Sequence, residues 1–211
     1  MSHALITRLL FAGETILLTL LVVVGVQTFV AQPYRVERES MLDTLQDGEM
    51  VLVDKLAPRL GGIIRGDIVV FEPPPRAGDD GTPFIKRVIG LPGEVVELRD
   101  GLVVIDGVPL DEVAYVYRGQ PTLPTDMIAA WQVPADHLFV LGDHRVDSTD
   151  SRIGWLGMVP LERVIGRAAV RYWPAEAATV LSAPGYPELQ AAAAGRTGQA
   201  GPATQASMSR E

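Results

Sequence analysis

The chain has 211 residues, no cysteine and a formal net charge of -8. Its length allows one ordinary domain with appendages and a buried core, so the fold does not depend on covalent staples. The lack of cysteine excludes disulfides, thiolate nucleophiles and thiolate metal sites, and the acidic balance with scattered cations excludes nucleic acid as a partner.

The first predicted element is an uncharged apolar run over residues 15–31, TILLTLLVVVGVQTFVA, bracketed by Glu14 and Arg35. A helix needs about 17 to 25 apolar residues to cross a bilayer. The run therefore predicts one transmembrane anchor over residues 15–31, preceded by a short N-terminal segment, 1–14.

A buried core helix and a cleaved signal peptide are the alternatives for this run. Cleavage after Ala31 would place the bulky Phe29 where a small residue is required, so retention as an anchor is favoured. Cations lie on both sides, with Arg8 before the run and Arg35 and Arg38 after it. The distribution of charge therefore leaves the orientation open.

Beyond the anchor, short runs rich in Val and Ile predict β-strands. The runs are 50–53, 67–71, 84–89, 95–98, 102–105, 137–141 and 164–173. Asp100-Gly101 and Asp106-Gly107 supply hairpin turns, while prolines at 73–75, 121 and 124 mark long connections. The sequence therefore predicts a β-rich domain over residues 32–174.

The composition changes at the C-terminal end of the chain. From residue 175 the strand period is lost and Ala, Gly, Ser and Pro dominate. We predict a low-complexity, largely disordered tail over residues 175–211.

Two stretches far apart in the sequence carry candidate chemistry. Ser40 opens SMLDTLQDGEMVLVDKL just beyond the anchor, and Lys86 lies within FIKRVIGLPGE. Taken alone, Ser40 with Asp43 three residues later also fits a helix N-cap, and Lys86 also fits a solvated strand lysine. The residues by themselves leave both alternatives open.

Four stretches resemble the signature boxes of bacterial type I signal peptidases. They are Ser40-Met41 with Thr44-Leu45, residues 66–71, residues 86–94 and residues 142–152. Their order behind one span also matches, and the resemblance extends to about residue 168. It implies an all-β catalytic domain of the signal peptidase or LexA-like fold. It also implies an anchor in the cytoplasmic membrane, residues 1–14 in the cytoplasm and an extracytoplasmic domain.

The same resemblance implies a membrane-bound serine endopeptidase that removes N-terminal signal peptides from exported preproteins. Ser40 would be the nucleophile and Lys86 the general base, with cleavage after Ala-x-Ala motifs. The implied partners are signal peptides, the lipid bilayer and, transiently, the secretion machinery. No metal or cofactor is required for this chemistry.

A lysine base is chemically reasonable only if it is buried. Lysine titrates near 10.4, so about one free side chain in a few thousand is neutral at pH 7. Burial without a carboxylate partner lowers that pKa, and Ile85, Val88 and Ile89 are suitable apolar neighbours for Lys86. A neutral Lys86 could then take the proton of Ser40 and allow an acyl-enzyme to form.

The resemblance also implies supporting roles for residues that would otherwise be solvated at the surface. Ser148 would hydrogen-bond the lysine amine and aim it at the nucleophile. Asp143 would pair with Arg87 beside the dyad, and Asp150 with Arg152 would hold the Ser148 loop.

Three apolar residues follow the nucleophile, which itself lies a few residues beyond the span. Met41, Leu42 and Leu45 are therefore expected to contact the membrane interface, where a signal peptide emerges.

Some positions depart from the family pattern. Asp43 stands where proline is usual, His144 where asparagine is usual, and Val146 replaces an acidic residue; Arg38 occupies a position that contributes to the oxyanion hole in some members. These departures keep a catalytically silent, anchored homologue as an alternative that binds signal peptides or partner proteins. A LexA-like autoprotease is disfavoured because no DNA-binding region is visible, and a histidine base is disfavoured because His144 lies in a box typical of Ser-Lys enzymes.

Overall fold

A computed structural model describes residues 3–76 and 81–199. Helix α1 (His3–Phe29) opens the chain and helix α2 (Pro187–Gln199) closes the described part. The strands are β1 (Ala31–Arg35), β2 (Met50–Asp54), β3 (Ile68–Phe71), β4 (Phe84–Gly90), β5 (Val95–Arg99), β6 (Leu102–Ile105), β7 (Val108–Pro109), β8 (Ala130–Gln132), β9 (His137–Leu141), β10 (Val159–Pro160), β11 (Val164–Trp173) and β12 (Thr179–Val180). Short 3-10 helices occur at Pro58–Leu60, Tyr117–Gly119, Leu161–Arg163 and Ala175–Ala177.

Helix α1 has the length and composition of a membrane span. Its stretch Phe11–Phe29 has a mean hydropathy of 1.7, and none of it is buried against the rest of the protein. The Thr15 and Thr19 hydroxyls donate to carbonyls one turn earlier, at 2.8 Å in both cases, which satisfies polar groups within the apolar helix. The helix ends at Phe29, before the end of the predicted anchor over residues 15–31, because strand β1 already begins at Ala31.

The strands form two antiparallel sheets, which confirms the all-β fold class. The larger sheet has the order β1-β2-β11-β3-β4-β9-β10, with β12 added beside β11. The smaller sheet has the order β7-β6-β5-β8. Each of the seven predicted runs corresponds to a strand, whereas β1, β7, β8, β10 and β12 were not predicted.

Strand β4 is central to the larger sheet and to the candidate chemistry. It pairs with β3 on one side and with β9 on the other, with Lys86 opposite Val69 and Arg87 opposite Leu141. Six of its seven residues are buried. A charged side chain on this strand is therefore removed from water unless it reaches a surface.

Residues 175–199, which were predicted to belong to a disordered tail, contain regular secondary structure. Within 175–199 the chain forms a 3-10 turn, strand β12 against β11, and helix α2, and Tyr186 is buried in the core. Pro187 starts the helix, a position where its missing N–H costs nothing. Residues 200–211, the rest of the predicted disordered tail, lie outside the described residues.

Candidate active site

Ser40 lies in the loop that joins β1 to β2. The backbone N–H of Val36 donates to the Glu49 carbonyl at 2.8 Å, which closes the base of this loop. Within it, the Leu45 N–H donates to the Met41 carbonyl at 2.8 Å and forms an isolated turn. No helix begins at Ser40 in this described segment, so the N-cap interpretation is wrong.

Two of the three residues predicted to contact the membrane are instead part of the core. Met41 and Leu45 both have an exposed fraction of 0% and pack among buried residues of the larger sheet. Leu42 is only partly buried. The prediction was wrong for Met41 and Leu45, because the turn directs them inward, where their burial fixes the turn that carries Ser40.

The nucleophile and base candidates are in direct contact. Lys86 Nζ lies 2.8 Å from Ser40 Oγ, within hydrogen-bond distance, and donates to the Ile85 carbonyl at 2.8 Å. A neutral amine has one lone pair, which can accept the Ser40 proton while one of its N–H groups still donates to the Ile85 carbonyl. Lys86 is 4% exposed, so the solvated-lysine interpretation is wrong.

The surroundings of Lys86 favour the neutral amine. The pKa of Lys86 is lowered to about 8, chiefly by burial; the Arg38 guanidinium also lowers it, whereas the carboxylates of Asp150 and Asp143 act in the opposite direction. At pH 7 about one side chain in ten is then neutral, against one in a few thousand for free lysine. The net effect is roughly a 300-fold larger population of the base.

Ser148 is close to the dyad but does not make the predicted hydrogen bond. Its Oγ is buried and has no partner among the described residues, while Lys86 bonds Ser40 and Ile85 instead. The Ser148 side chain packs against Gly142, where a Cβ would collide with both Ser148 Oγ and the Ser40 carbonyl. The predicted role of aiming the amine is therefore not realised in this structure, and Gly142 is needed for the close approach.

Asp143 and Arg87 form the predicted pair beside the dyad. Arg87 Nε and Nη2 donate to the two carboxylate oxygens at 2.8 and 2.6 Å. Arg87 Nη1 also donates to the Gly66 carbonyl at 2.8 Å, and the Thr44 hydroxyl donates to Asp143 at 2.6 Å. Because Thr44 follows Ser40 by four residues, this pair connects the nucleophile turn to strand β4.

The second predicted pair, Asp150 with Arg152, holds the loop that follows β9. Arg152 Nε and Nη2 each donate to Asp150 at 2.8 Å, and Nη2 also donates to the Arg145 carbonyl at 2.7 Å. The Gly142 N–H donates to Asp150 at 3.1 Å. These hydrogen bonds connect the two ends of the loop over residues 142–152, which contains Ser148.

Four further residues contact the site: Arg145, Glu112, Tyr115 and Phe84. Arg145 is buried, donates to Glu112 at 2.9 and 2.7 Å, and donates from Nε to the Gly142 carbonyl at 3.0 Å. The Arg87 guanidinium lies 4.2 Å from the centre of the Tyr115 ring. Lys86 Nζ lies 5.4 Å from the centre of the Phe84 ring. Arg145 lies in a matched box, but no pattern in the sequence distinguishes Glu112 or Tyr115.

The residues that depart from the family pattern have defined places. Arg38 has a left-handed backbone, with φ of 71°, and its N–H donates to Asp47 at 2.8 Å. The His144 backbone N–H donates to the Ser40 carbonyl at 3.1 Å, and its ring packs 4.6 Å from that of Tyr117. Its imidazole makes no hydrogen bond to Ser40 Oγ in the described structure, which argues against a histidine base. The other two departures, Asp43 and Val146, are exposed.

A cleft opens beside the dyad. Its walls include Tyr34 at the end of β1, Arg38, Phe84 and Asp147, with Ser40 and Lys86 on its floor. Both residues of the dyad therefore line this cleft.

A serine hydroxyl in contact with a buried lysine beside a cleft is an arrangement that Ser-Lys hydrolases share. The chain belongs to the signal peptidase family, peptidase S26, whose model matches residues 9–173. This family is membrane-anchored, which agrees with the apolar helix α1. The family that the four boxes indicated is confirmed.

Named relatives agree with the family match. The chain is 42% identical to signal peptidase I of Leptolyngbya laminosa over 165 residues, covering 76% of this chain and 78% of that protein. It is 39% identical to the probable signal peptidase I-2 of Synechocystis sp. over 164 residues, which cover 77% of this chain and 72% of that protein. It is 32% identical to signal peptidase I T of Bacillus subtilis over 168 residues, which cover 77% of this chain and 84% of that protein. A solved signal peptidase I of Enterococcus faecalis is 34% identical, with a TM-score of 0.38, over 50% of this chain and 95% of that one.

Proposed function

We propose that the chain removes signal peptides from exported preproteins with Ser40 as nucleophile and Lys86 as general base. The observation that carries this proposal is the 2.8 Å contact between Ser40 Oγ and the Nζ of a lysine that is almost fully buried. The contact also favours an active enzyme over a silent homologue, because both partners are present and within proton-transfer distance.

In the first step, neutral Lys86 Nζ accepts the Ser40 Oγ proton while Oγ attacks the scissile carbonyl carbon. The backbone N–H of Ser40 has no hydrogen-bond partner among the described residues, so it is free to donate to the oxyanion. The Lys86 ammonium then gives its proton to the leaving amine, and an acyl-enzyme remains. A water molecule that loses a proton to Nζ hydrolyses this ester and restores Ser40.

The proposal includes an orientation across the membrane. The part of the chain before the apolar stretch Phe11–Phe29 lies in the cytoplasm, and that stretch crosses the cytoplasmic membrane. The β domain lies on the extracytoplasmic side, against the bilayer and in transient contact with the secretion machinery. Support for this orientation comes from the match to the signal peptidase family. The junction between helix and domain shows that the domain directly follows the helix. Lys55 Nζ donates to the Gln27 carbonyl at 3.3 Å and Arg59 Nη1 to the Phe29 carbonyl at 3.1 Å, so cations from the domain cap the helix C-terminus.

The pH dependence of cleavage tests the assignment of the base. Because only neutral Lys86 can accept the proton, kcat/KM is expected to rise with pH through an apparent pKa near 8. Activity therefore falls about tenfold for each pH unit below 7. The measurement is a pH–rate profile of preprotein cleavage by the detergent-solubilised chain, with Lys55→Arg as a control that keeps the same profile. A rate that is flat down to about pH 5 would rule out a lysine base.

The cleft also predicts substrate selectivity. A chain bound in extended form directs alternate side chains toward the enzyme, so the first and third residues before the cut face the cleft. We expect cleavage after Ala-x-Ala, severe loss when either alanine becomes Phe or Leu, and tolerance at the middle position. A series of single variants of one preprotein measures this. Stricter selection at the middle residue than at the outer two would contradict extended binding.

A further inference from the structure

The segment that follows β11 lies outside the family match at residues 9–173, yet it is built into the catalytic domain. Tyr186 is buried among residues of the smaller sheet, and Leu189 packs against the same cluster. The Glu188 carboxylate accepts the backbone N–H of Asp111 at 3.0 Å. Opposite Tyr186, a Cβ at Gly66 would collide with Pro184 and lie 3.2 Å from the Tyr186 hydroxyl. The segment is therefore closely fitted to Gly66, whose carbonyl accepts a hydrogen bond from Arg87.

The hydrogen bonds of Tyr186 have a defined direction. Tyr115 and Tyr186 hydroxyls lie 3.0 Å apart, and Tyr115 also lies 2.8 Å from a Glu112 carboxylate oxygen. A carboxylate can only accept, so the single Tyr115 proton goes to Glu112 and Tyr186 donates to Tyr115. Burial raises the pKa of both phenols, so neither loses its proton in the working range of the enzyme.

Tyr115 connects Tyr186 to two of the arginines at the active site, Arg87 and Arg145. Its ring lies against the Arg87 guanidinium, which holds Asp143 beside Lys86. Its hydrogen-bond acceptor, Glu112, binds Arg145, which in turn holds the Gly142 carbonyl.

We propose that Tyr186 is a positioning residue of the peptidase: its hydroxyl fixes Tyr115, and Tyr115 fixes Arg87 and Arg145 around the dyad. The segment over residues 184–190 is then a functional part of the catalytic domain. The proposal rests on Ser40 and Lys86 acting as described above.

The test is a double-mutant cycle on steady-state cleavage by the full-length, detergent-solubilised chain. Tyr186→Phe keeps the ring and removes only the hydroxyl, and it is expected to lower kcat about three- to tenfold with KM little changed. Tyr115→Phe is expected to lower kcat further than Tyr186→Phe does, because it also removes the hydrogen bond to Glu112. The double variant should match Tyr115→Phe alone, because the Tyr186 hydroxyl has no partner left. Tyr172→Phe, at an exposed tyrosine, is the matched control.

A pH profile separates positioning from general destabilisation. The charged groups acting on Lys86 are Asp150, Arg38 and Asp143. If Arg87 moves in the Tyr186→Phe variant, it neutralises the negative charge of Asp143 less completely. The ammonium form of Lys86 is then favoured, and the part of the pH–rate profile where cleavage rises should move to higher pH. Wild-type kcat and pH profile in Tyr186→Phe, or additive losses in the double variant, would overturn the proposal. Failure of the dyad assignment is distinguishable, because Ser40→Ala would then remain active.

Discussion

Ser40→Ala and Lys86→Ala are each expected to lower preprotein cleavage at least about 10⁴-fold while leaving the protein folded. The first change removes the attacking oxygen, and the second removes the group that accepts its proton at 2.8 Å. Because the two side chains act as one unit, the double variant should be no worse than either single variant. Cleavage is measured on one preprotein, with folding checked by circular dichroism.

Lys86→Arg tests whether Lys86 must lose its proton to act. A guanidinium retains the positive charge but cannot lose its proton near neutral pH, so this variant should be as inactive as Lys86→Ala. The matched control is Lys55→Arg at the only other lysine of the chain, which should cleave at the wild-type rate. Near wild-type activity in folded Ser40→Ala or Lys86→Arg would refute the dyad. A wild-type chain that binds a signal peptide without cutting it would instead identify the silent homologue.

Asp143→Asn is expected to be the most destabilising of the conservative changes at the site. Arg87 and Asp143 are buried at 3% and 0% exposure, so loss of the carboxylate leaves a cation without a counter-charge. Breaking a buried pair in this way costs about 3 to 5 kcal/mol in free energy of unfolding. Cleavage should fall as well, because the pair connects the Ser40 turn to β4 through Thr44. Thermal unfolding and cleavage rate are the two measurements.

Glu97→Gln is the matched control for that experiment. Glu97 and Arg99 form an exposed ion pair at 2.7 Å, with side chains 33% and 58% exposed. An exposed pair contributes only about 0 to 1 kcal/mol, so the control should unfold close to wild type. If Asp143→Asn were no less stable than Glu97→Gln, the buried pair would not have the structural role described for it.

The extended apolar runs made the fold class predictable. Residues 84–89 and 164–173 contain β-branched residues at high density, and both form strands. Strand β1, by contrast, reads AQPYR and forms because it pairs with β2, a long-range effect with little local signal. Helix α2 did have a local signal, with Pro187 at its start and Glu188 in its first turn. The Ala- and Gly-rich composition of that stretch concealed it.

The candidate site was predictable where sequence motifs carry it. The dyad and the two ion pairs lie in three of the matched boxes, and the resemblance of these boxes to a known pattern predicted that their residues meet. Residue spacing alone could not do so, because the dyad residues are 46 positions apart. The inward direction of Met41 and Leu45, and the contact of Tyr115 with Arg87, depend on tertiary packing. These features became visible only in the folded chain.

The pKa of Lys86 is the quantity on which the mechanism depends most directly. The chain has only two lysines, Lys55 and Lys86, so ¹⁵N-labelled lysine gives two Nζ signals, and Lys55→Arg assigns them. Titration of the detergent-solubilised chain by NMR is predicted to give a midpoint near 8 for Lys86. A midpoint near 10.4, the value of an unperturbed lysine, would contradict a neutral Lys86 base.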